Sequence, residues 1–479
     1  MSNMKTPSDE NAQLYAQEFN QMTTLKNNEI KLPLESTEPI NKPDDTYIPF
    51  NNRDVSHPNS SIGAVIHLVK SSLGTGILAM PYAFKNGGLI FGTIGTLVVG
   101  FLVTHCVNIL VKSSHEICRR SRTPSLGFSE TAKTAFEYGP QSIKQWAPFA
   151  SVFVDVCVVT TYYFGLSVYV VFIADSIQQL IHHYLKTNWP LTYYMLLLLI
   201  PLVLICQVRE LKYLVPFSFS ANVCLVVTFT ITLYYVFVDL PEAGDLQMMG
   251  SFSQLPLFFS TVIFAIEGIG VVMPVENNMK HPHHFLGCPG VLNIAMFIIT
   301  SIFTLIGFCG YLKYEKDTQP AITINLPVNE ILAQVAKICV VLAVFFTYAL
   351  LFYVPYDIAW RKWISPNIPP RYSNLGQVCA RTVLVSGSVA IAIMVPGLDL
   401  IITLVGALCF STLGILIPVA VDTIVMWDSP GVFNWRLIKN GFLFAFYLFA
   451  LSTGTYTVIC DTKGRYDCKR VIIFQTTTK

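Results

Sequence analysis

Residues 62–88 form an apolar run long enough to cross a bilayer, yet its centre reads Ser71-Ser72-Leu73-Gly74-Thr75-Gly76. This is poor helix material, because a glycine costs roughly 1 kcal/mol against Ala in a helix interior. A span that comes undone halfway frees N–H and C=O groups at the membrane midplane. Such groups persist only where they are buried in protein or line a wet cavity. They are also what a zwitterion needs, N–H groups for its anionic end and carbonyls for its cationic end. One turn before this stretch sits His67, an ionisable group in an apolar segment. The run reads as the floor of a binding site.

The rest of the chain fits that reading. Of 479 residues, 53% are hydrophobic and 13% charged, and the mean hydropathy of +0.54 belongs to polytopic membrane proteins. About eleven apolar runs of spanning length occur: 62–84, 89–112, 146–179, 190–207, 212–238, 255–276, 288–312, 329–355, 378–396, 398–424 and 438–459. Residues 1–58 are polar and lack apolar periodicity, so a disordered segment is expected there. A transmembrane domain over 59–460 and a short tail over 461–479 follow. The polar start carries no secretory leader pattern, so the first span is expected to be an uncleaved anchor.

Lys and Arg gather in alternate loops, with Arg119, Arg120 and Arg122 after span 2, Arg209 and Lys212 after span 4, and Arg361 and Lys362 after span 8. That asymmetry places the N-terminus in the cytosol and, with eleven spans, the tail on the outer or lumenal side. Lys463, Arg465, Lys469 and Arg470 in the tail weigh mildly against the last crossing. A net charge of +2 exerts no pull toward nucleic acid.

No catalytic set is visible. Most cysteines lie within spans and read as packing residues, while Cys460 and Cys468 flank the end of the last span and are near enough in sequence to pair outside the cytosol. His281, His283 and His284 crowd one loop without an acid or Cys at ligand spacing, so a solvated loop rather than a metal site is expected. No phosphate loop or nucleophile–base pair appears, the loops are too short for a catalytic domain, and no cofactor is implied. The chain does not read as an enzyme.

A second interruption lies five spans after the first. Glu267-Gly268-Ile269-Gly270 occupies the middle of span 6. Paired interruptions in two halves of a membrane chain point to an inverted repeat with a site between them. The fold class expected is therefore an all-α polytopic membrane protein, five helices plus five, with helices 1 and 6 broken and one extra helix. Either glycine pair could instead serve close helix packing, since small residues let backbones approach.

The candidate ligand-binding residues are Gly74, Thr75 and Gly76 in span 1 and Glu267, Gly268 and Gly270 in span 6. Tyr162 in span 3 and Thr347 and Tyr348 in span 8 join them as hydroxyl-bearing pocket walls, or else serve as packing. His67, whose ordinary pKa is about 6.5, suits a group that loads protons, and Glu267 is the other candidate carrier. The scarcity of hydroxyls in span 8 favours protons over sodium. Lys70 is expected to snorkel to the interface and Glu276 to lie at it.

These stretches resemble the proton-coupled amino acid transporters of the amino acid/auxin permease group. The resemblance runs from about residue 58 to 460. It rests on His67-Leu68-Val69-Lys70 with Gly74-Thr75-Gly76-Ile77-Leu78, on Phe264 to Asn277, on Pro289 to Asn293, on Thr347 to Pro355 and on Pro396 to Gly406. It implies symport of protons with small neutral amino acids such as glycine, alanine or proline, in the plasma membrane or the lysosomal membrane, and it sets His67 at the coupling position. A sensor that signals to growth control through partners of residues 1–58, and a proton-independent facilitator, are the alternatives. The chain departs from its relatives at Tyr162, where a Gln is usual, and at Ala349 and Leu351, where Pro and Gln are common. Residues 180–190 and 313–327 also lack the cysteines of an outer-loop disulfide that relatives often have.

Overall fold

Backbone groups in lipid have no water to bond to, so each apolar run must satisfy its own hydrogen bonds by coiling. The computed structural model describes residues 47–53, 58–209, 213–238, 246–266, 268–395, 397–427 and 431–477, and it is helical throughout the spans. The first span is split into α1 (Ser61–Ser72) and α2 (Thr75–Gly87). Spans 2 to 5 contain α3 (Leu89–Ser121), a short helix α4 (Phe128–Glu137), α5 (Ala147–Leu185), α6 (Leu191–Cys206) and α7 (Val215–Phe237). Span 6 is α8 (Leu255–Ile266) and α9 (Ile269–Asn277). The chain then runs through α10 (Val291–Tyr314), α11 (Ile331–Ala359), α12 (Ser373–Met394), α13 (Leu398–Val425) and α14 (Trp435–Thr477). Nine helices among the described residues are apolar and long enough to cross a membrane, and the bent pair α1–α2 makes a tenth. The shorter apolar helix α6, of 16 residues, stands where the sequence places the remaining span.

Each of spans 1 to 4 packs against its counterpart in the second half: α2 on α8, α3 on α10, α5 on α11 and α6 on α12. That is the contact pattern of two five-helix repeats related by a pseudo-two-fold axis. Two groups of helices result. Spans 1, 2, 6 and 7 pack on one another through α1, α2, α3, α8 and α10, while spans 3, 4, 8 and 9 form the other group, with α7 laid along α11. We call the end of the bundle where α1 begins the near face, and the opposite end the far face.

Three boundaries differ from those expected. Glu116 is paired with Arg119 at 3.0 Å and with Arg120 at 2.8 Å, and these one-turn ion pairs carry α3 well past residue 112. The helix stops where Arg122 turns left-handed and its N–H closes onto the Cys118 carbonyl. The segment before span 1 is not without structure: Pro49–Asn52 form a 3-10 turn, while residues 1–46 and 54–57 lie outside the described residues. The last helix also runs past residue 459, with α14 continuing to Thr477.

Candidate functional site

Helix 1 is broken at Leu73 and Gly74, and its two halves meet at 59°. Leu73 closes α1 by donating to the Val69 carbonyl at 3.0 Å, and Gly74 donates to Ser72 at 2.9 Å. No side chain caps the N-terminus of α2. Its first N–H groups, at the positive end of the helix dipole, are therefore left for an anion. In span 6, α8 ends at Ile266 and α9 begins at Ile269. Gly268, at φ −140° and ψ 11°, starts α9 with no side-chain cap. Glu267 lies outside the described residues.

The two interruptions lie side by side. A Cβ at Gly268 would stand 3.2 Å from Ser72 Oγ. Gly76 has a different task from the one expected of it. A Cβ there would stand 2.8 Å from Ala265 Cα and 2.9 Å from its carbonyl oxygen, so this glycine lets α2 and α8 touch backbone to backbone. Gly74 is the opposite case, with no other heavy atom within 4 Å of such a Cβ. Its missing side chain leaves an opening.

One face of α5 runs along both interruptions. Tyr162, Gly165 and Tyr169 are spaced three and four residues apart and share that face. Tyr162 presses its ring hydroxyl onto Gly270, and the Tyr169 hydroxyl lies near Thr75. Between them Gly165, like Gly74, meets no heavy atom within 4 Å where a Cβ would stand. Gly74, Thr75, Gly268, Gly270 and Tyr162 are thus brought together, with Gly165 and Tyr169 added. The pattern Tyr-x-x-Gly-x-x-x-Tyr facing one way was the signal for these two.

Span 8 contributes less than expected. Tyr348 is fully buried and its hydroxyl lies 2.7 Å from Ser388 Oγ on α12, so it fastens α11 to α12 instead of walling a pocket. Thr347 donates to the Ala343 carbonyl of its own helix at 2.7 Å. His67 is half-buried on α1, the half-helix that packs on α9 and α10.

Two polar clusters sit at the ends of the bundle. At the near face Glu276 is turned into the protein and only 1% exposed. It receives Arg53 Nη1 at 3.0 Å and lies 2.7 Å from His115 Nε2 on α3. Phe50 meets the His115 ring edge-on at 4.9 Å, and Asn59 pairs with Met279 beside it. The segment before span 1 is thereby strapped across the near-face ends of spans 2 and 6. Also here, Asp155 of α5 pairs with Lys362. At the far face Tyr82 of α2 donates to Asp399 of α13 at 3.2 Å. Nearby, Lys337 is 1% exposed, donates to Gln179 and to the Ile324 carbonyl, and is held electrostatically by Asp175. An intramembrane lysine is a signal on its own, and it belonged among the candidates. Among the described residues, no group of His, Cys, Asp or Glu is arranged to hold a metal ion.

The comparisons with known proteins meet this geometry. Residues 57–460 match the family model for transmembrane amino acid transporter proteins. The chain belongs to that family. It is a family of membrane transporters rather than enzymes, and this member is a multi-pass integral membrane transporter. It is 42% identical over 419 residues, 87% of this chain and 88% of the other, to the proton-coupled amino acid transporter-like protein pathetic of Drosophila melanogaster. Over 423 residues it is 26% identical to the amino acid transporter ANT1 of Arabidopsis thaliana, covering 84% and 92% of the two chains. Among solved structures, the inward facing conformation of Mhp1 matches 89% of this chain and 96% of its own at a TM-score of 0.50 and 12% identity. At that identity the likeness concerns the fold, which is the inverted-repeat arrangement with broken helices 1 and 6.

Proposed function

We propose that this transporter carries small neutral amino acids of the glycine, alanine and proline kind together with protons, by alternating access. The observation that carries the reading is the free space beside Gly74, at the uncapped N-terminus of α2, together with that beside Gly165 on α5. A carboxylate fits those N–H groups, and the carbonyls that end α8 suit an ammonium. Tyr162 and Tyr169 narrow the opening to a small side chain. Protons enter the reading through His67 and Glu267, and through the name of the Drosophila relative. The Lys/Arg-rich near face is the cytosolic one on this proposal, in a plasma or lysosomal membrane.

Uptake into vesicles holding the purified protein tests it, with a panel of amino acids at two external pH values. Saturable glycine, alanine or proline uptake that grows with an inward proton gradient supports the proposal. Saturable uptake indifferent to the gradient overturns the coupling and leaves a facilitator.

One observation favours a second reading beside the first. Arg53 ties the segment before span 1 directly to α9, so a shift of the broken helix on ligand binding would reach that segment. A sensor would use this connection to engage signalling partners. Deleting residues 1–46 then abolishes signalling while leaving uptake in place.

A further inference from the structure

A second cavity lies away from the broken helices, at the near face. It is about 390 Å³ and lies where the ends of α6 and α11 meet α12, lined by Arg209, Arg361 and Arg381, with Asp357, Tyr356 and Gln377 among the other walls. Three guanidinium groups face one carboxylate. Asp357 is already engaged by Arg361 Nε at 2.7 Å. Arg209 Nη1 donates to Asn374 at 2.8 Å, leaving its charge uncompensated there.

Arg381 is the informative residue. It is 4% exposed, and burying a guanidinium so far calls for partners on each nitrogen. One terminal nitrogen donates to the Cys206 and Val208 carbonyls at the end of α6. The guanidinium carbon lies 4.2 Å from the centroid of the Tyr356 ring. Its Nε has no hydrogen-bond partner among the described residues. The Nε itself is closed off from the cavity, so the buried Arg381 charge acts on the cavity through its field, and a cavity with net positive charge and the exposed Arg209 guanidinium at its wall is a place for an anion.

We propose that this cavity binds a phosphate-bearing anion, supplied either as a lipid headgroup or as free phosphate. Planar guanidinium forks match phosphate oxygens in pairs. Basic pockets between spans at the membrane surface suit anionic headgroups. Leu375 and Val378, beside Gln377 on α12, are exposed, so acyl chains have an apolar surface to follow from the cavity mouth. The site is separate from the opening at Gly74 and does not depend on what the protein transports.

The test uses the full chain in phosphatidylcholine nanodiscs, with thermal unfolding as the readout and chloride at matched ionic strength as the control. One arm adds phosphatidylinositol 4-phosphate to the disc, and the other adds inorganic phosphate to the buffer. A rise in Tm in the lipid arm alone identifies a headgroup, and a rise in both identifies a free anion. Arg209→Gln, at an exposed position, and Gln377→Glu, which adds a repelling charge, should each raise the half-saturating concentration by roughly tenfold or more. If Arg209→Gln fails to fold, Gln377→Glu carries the test. The proposal is overturned if neither arm shifts Tm, or if the folded variants respond as the parent does.

Discussion

The contrast between Gly74 and Gly76 gives the sharpest handle on the binding site. Both sit at one break, and a single methyl on each meets different surroundings. On Gly76 it would stand 2.8 Å from the Ala265 backbone, which has no flexible end to move aside. Overpacking of that kind costs about 1–3 kcal/mol of fold stability. On Gly74 it meets nothing within 4 Å, so Gly74→Ala should fold as the parent does. If a carboxylate sits at the start of α2, however, that methyl occupies its place and weakens a charge-assisted hydrogen bond. Such a bond is worth about 1.5–3 kcal/mol, or roughly a tenfold to hundredfold rise in KM. The assay is uptake kinetics in vesicles, paired with thermal unfolding of the same preparations. Gly74→Ala should raise KM with Tm unchanged, and Gly76→Ala should lower Tm. An unchanged KM for a well-folded Gly74→Ala would remove the carboxylate from this break and refute the reasoning.

Three further substitutions probe other contacts of the fold. Arg53→Ala removes one of the two groups holding a carboxylate that is 1% exposed, but His115 stays 2.7 Å away. The loss should therefore be about 1.5–3 kcal/mol, less than for a stranded buried charge, read as a fall in the unfolding midpoint. His67→Ala should reach the membrane yet lose uptake driven by a pH gradient, and normal gradient-driven uptake would end the role assigned to His67. Tyr348→Phe should lower stability by about 1 kcal/mol through its lost bond to Ser388 and leave KM untouched. A tenfold change in KM there would return Tyr348 to the binding site.

The breaks in spans 1 and 6 were legible because two glycine pairs interrupt apolar runs five spans apart, and the span count followed from length alone. The direction of individual side chains was not legible. Span 8 is apolar on all sides, so its sequence carries no phase to say whether Tyr348 faces the opening or α12. Glu276 ends an apolar run and read as interfacial, because its partner Arg53 lies in a polar segment far away in the chain. Lys337 and Asp399 were not singled out for the same reason, since their partners lie on other elements. The helix α4 read as loop because it is short and half polar. Gly76 had two readings, site or packing, and only the position of Ala265 separates them.

The backbone contact at Gly76 also decides which parts of the molecule are free to swing. With no side chain between them, α2 and α8 pack too closely at this point for either to turn alone, so we expect them to travel as one body. The joints are then left to Gly74 and Gly268, and the pieces that turn on them are α1 and α9, the halves bearing His67 and Glu276. Spin-label distances between α2 and α8 should accordingly stay fixed through the cycle, while those from α1 to α5 change.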